Sequence, residues 1–272
     1  MAVPPLDAFP LVSSVQSGAC PEIQALRPTA PAPGRSSGDP GLAFFSPRSN
    51  PKLMVHRALL IGGTGLVGRL TADRLLARGA EVHAWLRRTA GRSAPGWREH
   101  VVPPDEWPAL VRTIGGDVAI SALGTTARSA GSDEAYRAVD LDMVVAFARA
   151  AGESGVRHMI AVSSVGADAD SRLFYPRLKG EMEAALAGLA FDRLDVVRPG
   201  LLRGERGADR RLKERIAILV SPAVNLLLRG RLDRYAAIDA AIVAEAIAAL
   251  AQEAAPGRFV HHNRDLYRLA RG

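Results

Sequence analysis

The feature that most limits what this 272-residue chain can fold into is a three-residue apolar run, Leu59-Leu60-Ile61. It passes directly into Gly62-Gly63-Thr64-Gly65-Leu66-Val67-Gly68 and then into a helical pattern ending at Arg78 before Gly79. Apolar residues that stop on glycines and resume with helical periodicity read as strand, tight turn, helix. Glycine bends the backbone there without a Cβ penalty and lets helix and strand approach closely. The helix start presents backbone amides with no intrahelical partner, which favours an anion.

Downstream, short apolar runs alternate with amphipathic stretches, the pattern of repeated βαβ units on a parallel sheet. Strands are expected at Glu81–Leu86, His100–Val102, Asp117–Leu123, His158–Ser163, Leu194–Arg198 and around Arg258–His261. Helices are expected at Ser132–Gly152, about Leu173–Leu189, near Asp209–Val220 and at Ala240–Ala251. The fold class is therefore α/β: a doubly wound parallel sheet, the Rossmann arrangement, over 54–272. A small substrate lobe is expected mainly after residue 200.

Residues 1–53 differ in kind. They hold ten of the eighteen prolines, with Ser and Gly clustered around Pro31–Gly38, and no sustained period, so they read as a disordered extension. With three arginines and three acidic residues this stretch is a poor transit peptide, and Met54 could be the natural start. The single Cys20 cannot form an internal disulfide, which points to a reducing, cytoplasmic setting. No uninterrupted apolar stretch is long enough to span a membrane. The net charge of +7 is spread along the chain among acidic residues, so nucleic-acid binding is not expected. His261-His262 reads as a surface pair, since neighbours on a strand point to opposite faces, and no metal site is expected.

The glycines carry both the Gly63-x-Gly65-x-x-Gly68 and the Gly62-x-x-Gly65-x-x-Gly68 spacing, and a strand before with a helix after makes this a dinucleotide turn. About twenty residues on, where NAD sites place a carboxylate for the ribose 2′-hydroxyl, the strand ends Trp85-Leu86-Arg87-Arg88. Paired guanidiniums suit a 2′-phosphate, so NADP(H) is the expected cofactor.

Tyr175 and Lys179 are four apart, on one helical face. A free phenol is too weak an acid to exchange protons readily at neutral pH, and a nearby cation favours its phenolate. Only three of the 35 basic residues are lysines, and Lys179 is one of them. A compact ammonium serves this role where a planar guanidinium would not. Ser163 and Ser164 close the preceding strand at the carboxyl end of the sheet, where either could polarise a carbonyl, and Ser164 is preferred.

Taken together, these features resemble the short-chain dehydrogenase/reductase superfamily from Met54 to about Leu250. Leu123-Gly124-Thr125-Thr126, Val162 to Asp168, Tyr175 to Glu183, and Phe191-Asp192-Arg193 through Arg198-Pro199-Gly200 resemble its atypical branch of Tat-interacting-protein-type oxidoreductases, related to NmrA-like proteins. The resemblance implies Tyr175 as proton donor or acceptor, Lys179 as its partner and ribose ligand, and Ser164 or Ser163 as carbonyl polariser. It also implies Thr64, Gly65, Leu66 and Val67 at the pyrophosphate, Arg87 and Arg88 at the 2′-phosphate, and Leu123 and Gly124 along the nucleotide. Leu202 and Arg210 would close over the cofactor, with Arg206, Arg211 and Lys213 as equally placed neighbours of Arg210. The chain departs from the superfamily at Leu123-Gly124-Thr125-Thr126, where Asn-Ala-Gly is usual. It departs again at Pro103-Pro104, where many relatives carry an adenine-binding Asp, and at Asp140, where extended members often carry Asn.

The expected function is NADP(H)-dependent hydride transfer between nicotinamide and a small carbonyl or alcohol, with Tyr-Lys-Ser acid–base chemistry. An NADP(H)-sensing or partner-binding regulator is the alternative. A sugar-nucleotide epimerase or dehydratase ranks lower because only 72 residues follow Gly200.

Overall fold

The computed structural model describes residues 54–124, 132–204 and 230–272. Nine strands and seven α-helices can be followed there. They are β1 (Arg57–Ile61), α1 (Leu66–Ala77), β2 (Glu81–Leu86), β3 (Trp97–Val101), α2 (Trp107–Ile114), β4 (Val118–Ser121), α3 (Asp133–Arg137), α4 (Met143–Glu153), β5 (His158–Val162), α5 (Phe174–Ala187), β6 (Arg193–Val197), β7 (Leu202–Arg203), β8 (Ile238–Asp239), α6 (Ala240–Leu250), β9 (Gly257–His261) and α7 (Asn263–Leu269). Seven strands form one parallel sheet in the order β3-β2-β1-β4-β5-β6-β9, and β7 pairs with β8 alone.

The central strands are buried along their whole length, as expected of a parallel sheet covered on both faces. Their period of two sorts the core. Ala58 and Leu60 face the layer of α1 and α6 with Leu75, Val243 and Ile247, while Leu59 and Ile61 face α2, α4 and α5 with Phe147, Met182 and Leu186. Sequence order reverses on either side of β1, so the crevice at its carboxyl end is the switch point where doubly wound folds bind ligands.

Several elements differ from the sequence expectation. Helix α2 was not among the expected elements. Its Pro108 sits in the first turn, where the missing N–H costs nothing. The long helix expected at Ser132–Gly152 divides into α3 and α4 around a π-turn at Ala138–Asp142 that buries Asp140. After residue 200, α6 packs on α1 and β9 completes the main sheet beside β6. Helix α7 is also new. His261 is no surface residue, since its Nε2 lies 2.7 Å from the buried Asp195 carboxylate. The extension 1–53, the helix near 209–220, Thr125 and Thr126, and Arg206, Arg210, Arg211 and Lys213 lie outside the described residues.

Candidate functional site

The turn after β1 is shaped by what it leaves out. Gly62 adopts φ +81°, and a Cβ there would meet the Ala122 carbonyl at 2.5 Å; one on Gly68 would meet the Gly62 oxygen at 2.2 Å. These two glycines therefore press α1 against the ends of β1 and β4. The Gly65 N–H donates to the Gly62 oxygen at 2.9 Å, closing the turn. Helix α1 then starts with no side-chain cap and no acidic residue in its first turn. Thr64 and Gly65 are exposed, Leu66 is half-buried, and Val67 is buried in the core, so Val67 can offer only its backbone. Bare amides, a positive helix end and no competing carboxylate fit a dinucleotide pyrophosphate. Around that crevice, Arg87 and Arg88 are exposed just past β2, Leu123 is half-buried and Gly124 exposed past β4, and Leu202 is half-buried on β7.

A second candidate cluster, around the start of α5, is built from side chains. Helix α5 presents Tyr175 at 37% exposure in its first turn and Lys179 at 1% one turn later. Lys179 Nζ lies 2.8 Å from Asp140 Oδ1, forming an ion pair shut off from solvent that joins α5 to the π-turn. Tyr136 from α3 meets Tyr175 edge-on at 5.8 Å and Phe174 at 5.9 Å. Burial, reinforced by Tyr175 and Asp140, holds the Tyr136 phenol well above the usual tyrosine range, so it stays neutral.

The two serines separate by partner. Ser163 donates to Glu183, which Arg198 grips through Nε at 3.0 and 3.2 Å, whereas Ser164 makes only a 3.3 Å contact with the Val165 carbonyl among the described residues. Ser163 is thus committed to a structural network, and the Ser164 hydroxyl is the less engaged of the two among the described residues. Gly180 lets α5 lie against the loop after β5, since a Cβ would fall 2.1 Å from the Ala169 nitrogen. Beyond β6, the turn at Gly200 is held by Asn263, whose Oδ1 accepts from the Gly200 N–H at 2.9 Å while Nδ2 donates to the Ala236 carbonyl at 2.7 Å.

Sequence reasoning marked Asp140 only as a departure from the superfamily, without its lysine partner, and missed Tyr136, Glu183 and Asn263. Asp140 and Tyr136 are four residues apart at helical spacing ahead of the Tyr-Lys pair, a faint signal. Nothing local marks Glu183 or Asn263.

Residues 62–213 match the family described as NAD(P)H-binding. The protein named FMP52, mitochondrial, of Eremothecium gossypii is 41% identical over 156 residues, spanning 55% of this chain and 67% of its own length. Its namesake in Coccidioides immitis is 33% identical over 202 residues, covering 69% and 82%. Similar folds include UDP-N-acetylglucosamine 4-epimerase from Bacillus cereus, with TM-score 0.56, 16% identity, and 79% of this chain and 83% of that one covered. WbmH from Bordetella bronchiseptica in complex with NAD+ has TM-score 0.58 and 14% identity, covering 76% and 75%. The mitochondrial names of the relatives overturn the cytoplasmic expectation, which rested on a single cysteine and could not distinguish one reducing compartment from another. The turn after β1, the seven-stranded parallel sheet and a match over more than half its length agree: this chain belongs to the NAD(P)H-binding family and carries an oxidoreductase-like Rossmann domain.

Proposed function

We propose that the chain is an NADP(H)-dependent oxidoreductase of the short-chain dehydrogenase/reductase type, on the Tat-interacting-protein-like branch, acting on a small carbonyl or alcohol. The observation that carries this reading is Tyr175, exposed in the first turn of α5, one helical turn from a buried Lys179–Asp140 pair and close in sequence to Ser164. A regulator that only held the nucleotide would have no use for a buried ion pair beneath an accessible phenol.

The amides of Thr64 to Val67 would hold the pyrophosphate, Arg87 and Arg88 the 2′-phosphate, and Leu123, Gly124 and Leu202 the flanks, with Arg210 closing from outside the described residues. When bound, the nicotinamide supplies hydride chemistry. Ser164 orients the substrate oxygen by a hydrogen bond, and Tyr175 gives it a proton or takes one. Lys179 donates to the ribose and fixes the charge next to the phenol. The names of the relatives support a mitochondrial place of work, which fractionation of the source cells would test.

Titration with NADPH and NADH, followed by a carbonyl screen, tests the assignment. Tyr175→Phe is expected to lower turnover about 10²- to 10⁴-fold, the usual range for a general acid, with NADPH affinity nearly unchanged. Equal turnover in the two proteins would refute the assignment, and tight binding with no turnover of any carbonyl would favour nucleotide sensing.

A further inference from the structure

Beyond β6, the described residues frame an open-sided cavity of about 1050 Å³ between β7, the 3-10 turn Gly230–Tyr235 and α7. Its walls carry four arginines, Arg203, Arg264, Arg268 and Arg271, against two side-chain carboxylates, Asp233 and Asp265. Asp265 is already engaged: it accepts from the His262 N–H at 3.2 Å and pairs with Arg268 at 3.0 Å. Arg203, Arg264 and Arg271 are exposed and make no ion pair or side-chain hydrogen bond among the described residues.

Stability of the fold does not account for this grouping. Arg264, Arg268 and Arg271 follow one another at intervals of four and three, so α7 and the residues after it present them on one side, where like charges repel. Cations suit the end of a helix and not its start, yet Arg264 lies in the first turn of α7. The walls are also fixed in place. Asn263, at 3% exposure, accepts from the Gly200 N–H at 2.9 Å and donates to the Asp233 and Ala236 carbonyls at 3.2 and 2.7 Å. Pairing of β7 with β8 sets Arg203, and Tyr267, packed on the core, adds an aromatic wall.

We propose that this cavity binds a phosphorylated small molecule bearing at least two anionic groups, at a site separate from the turn after β1. Guanidiniums take phosphate oxygens in forked pairs, and four of them match a diphosphate better than a single small anion. The separation follows from the strand period. Leu202 packs on the core, and a Cβ on Gly204 would meet the Leu66 side chain of α1 at 2.8 Å, whereas Arg203 between them turns the other way, into the cavity. The site stands whether or not Tyr175 moves a proton.

Calorimetric titration of the full chain with inorganic pyrophosphate reads the site. Arg203→Ala/Arg264→Ala removes an exposed cation from each of two walls and is expected to weaken binding at least about tenfold. Arg149→Ala/Arg157→Ala removes two exposed cations elsewhere and should leave affinity within about twofold. Equal affinity in the native chain and both variants would put the anion at another place, the glycine turn included, and overturn the proposal, as would an absence of binding. Should the first variant not fold, Arg203→Lys/Arg264→Lys decides: it keeps the charge and loses the fork, so weaker binding is expected and native affinity would overturn the proposal. Vesicles of phosphatidylglycerol separate the two sources of such a phosphate. Capture on vesicles that pyrophosphate relieves would identify a lipid headgroup as the occupant, and pyrophosphate binding without capture a soluble ester.

Discussion

The two parts of the candidate site are made of different materials. The half after β1 is backbone: two glycines that tolerate no Cβ, and a helix start left uncapped. The part around the start of α5 is side chain: an ammonium, a carboxylate, two phenols and the Ser164 hydroxyl, drawn from α3, the π-turn, α5 and the loop after β5. A backbone site is fixed by a run of seven residues and by their local geometry. A side-chain site is fixed by packing across the sequence, and its charges exist only because distant partners accompany them. The first kind should fail by steric strain, and the second by uncompensated charge.

The largest effect should come from splitting the ion pair. Lys179→Met leaves the Asp140 carboxylate buried without its counter-ion, and removal of one partner of such a pair costs about 3–5 kcal/mol. Asp140→Asn/Lys179→Met should recover much of that loss. Denaturant unfolding of the single and double variants measures both, and equal stability of the two would break the contrast drawn above.

Next in size is Gly62→Ala. The new methyl meets the Ala122 carbonyl at 2.5 Å, and the residue must hold φ +81°. Overpacking and left-handed strain together should cost about 3 kcal/mol, with NADPH affinity falling at least about tenfold as the turn opens. Thermal unfolding and a fluorescence titration check the two parts. A variant that unfolds early yet binds NADPH normally would show that the turn's shape matters less than its packing.

The same contrast explains what could be read from the chain beforehand. The strands β1, β2, β5 and β6 and the glycine turn are legible because each is a local pattern: an apolar run, a period, a residue type that only a tight turn favours. Tyr175 and Lys179 are legible because one helix carries both. The pairing of Asp140 with Lys179 is not, because the pattern around Asp140 is simply helical and its burial depends on α5 arriving from about forty residues away. The same holds for Ser163, whose hydroxyl goes to Glu183, and for the turn at Gly200, which waits for Asn263 near the chain end. His261 looked superficial because β9 alternates, yet β6 offers it a carboxylate that no local rule reveals.

That carboxylate supplies a third test, on a side-chain cluster away from the crevice. Asp195 accepts from His158 at 2.7 Å, from His261 at 2.7 Å, and from Arg193 at 2.6 and 2.9 Å, binding β5, β6 and β9 together. Although burial opposes its charge, these donors hold the carboxyl far below the usual carboxylate range. A depressed folded-state value contributes stability that is complete above the unfolded-state value, near about pH 4, and is lost as pH falls toward the folded one. Unfolding free energy should therefore drop below about pH 4, and Asp195→Asn should remove up to about one proton from that slope. An unchanged acid slope in the variant would mean that the cluster holds the strands by shape, not by charge.

The smallest expected effect bears most directly on cofactor choice. Arg87 and Arg88 are exposed at the end of β2, beside the crevice but outside the buried ion-pair network. Each can lend a guanidinium to a 2′-phosphate, and neither supports the fold, so Arg87→Ala/Arg88→Ala should leave thermal stability within about 0.5 kcal/mol. NADPH binding should weaken about tenfold, and NADH binding, which lacks the phosphate, should hold steady. Because exposed charges are screened, the NADPH–NADH difference in the unaltered chain should also shrink as salt rises past about 0.1 M. Equal weakening for both nucleotides would assign the arginines to the shared part of the cofactor and remove the basis for the proposed choice of NADP(H).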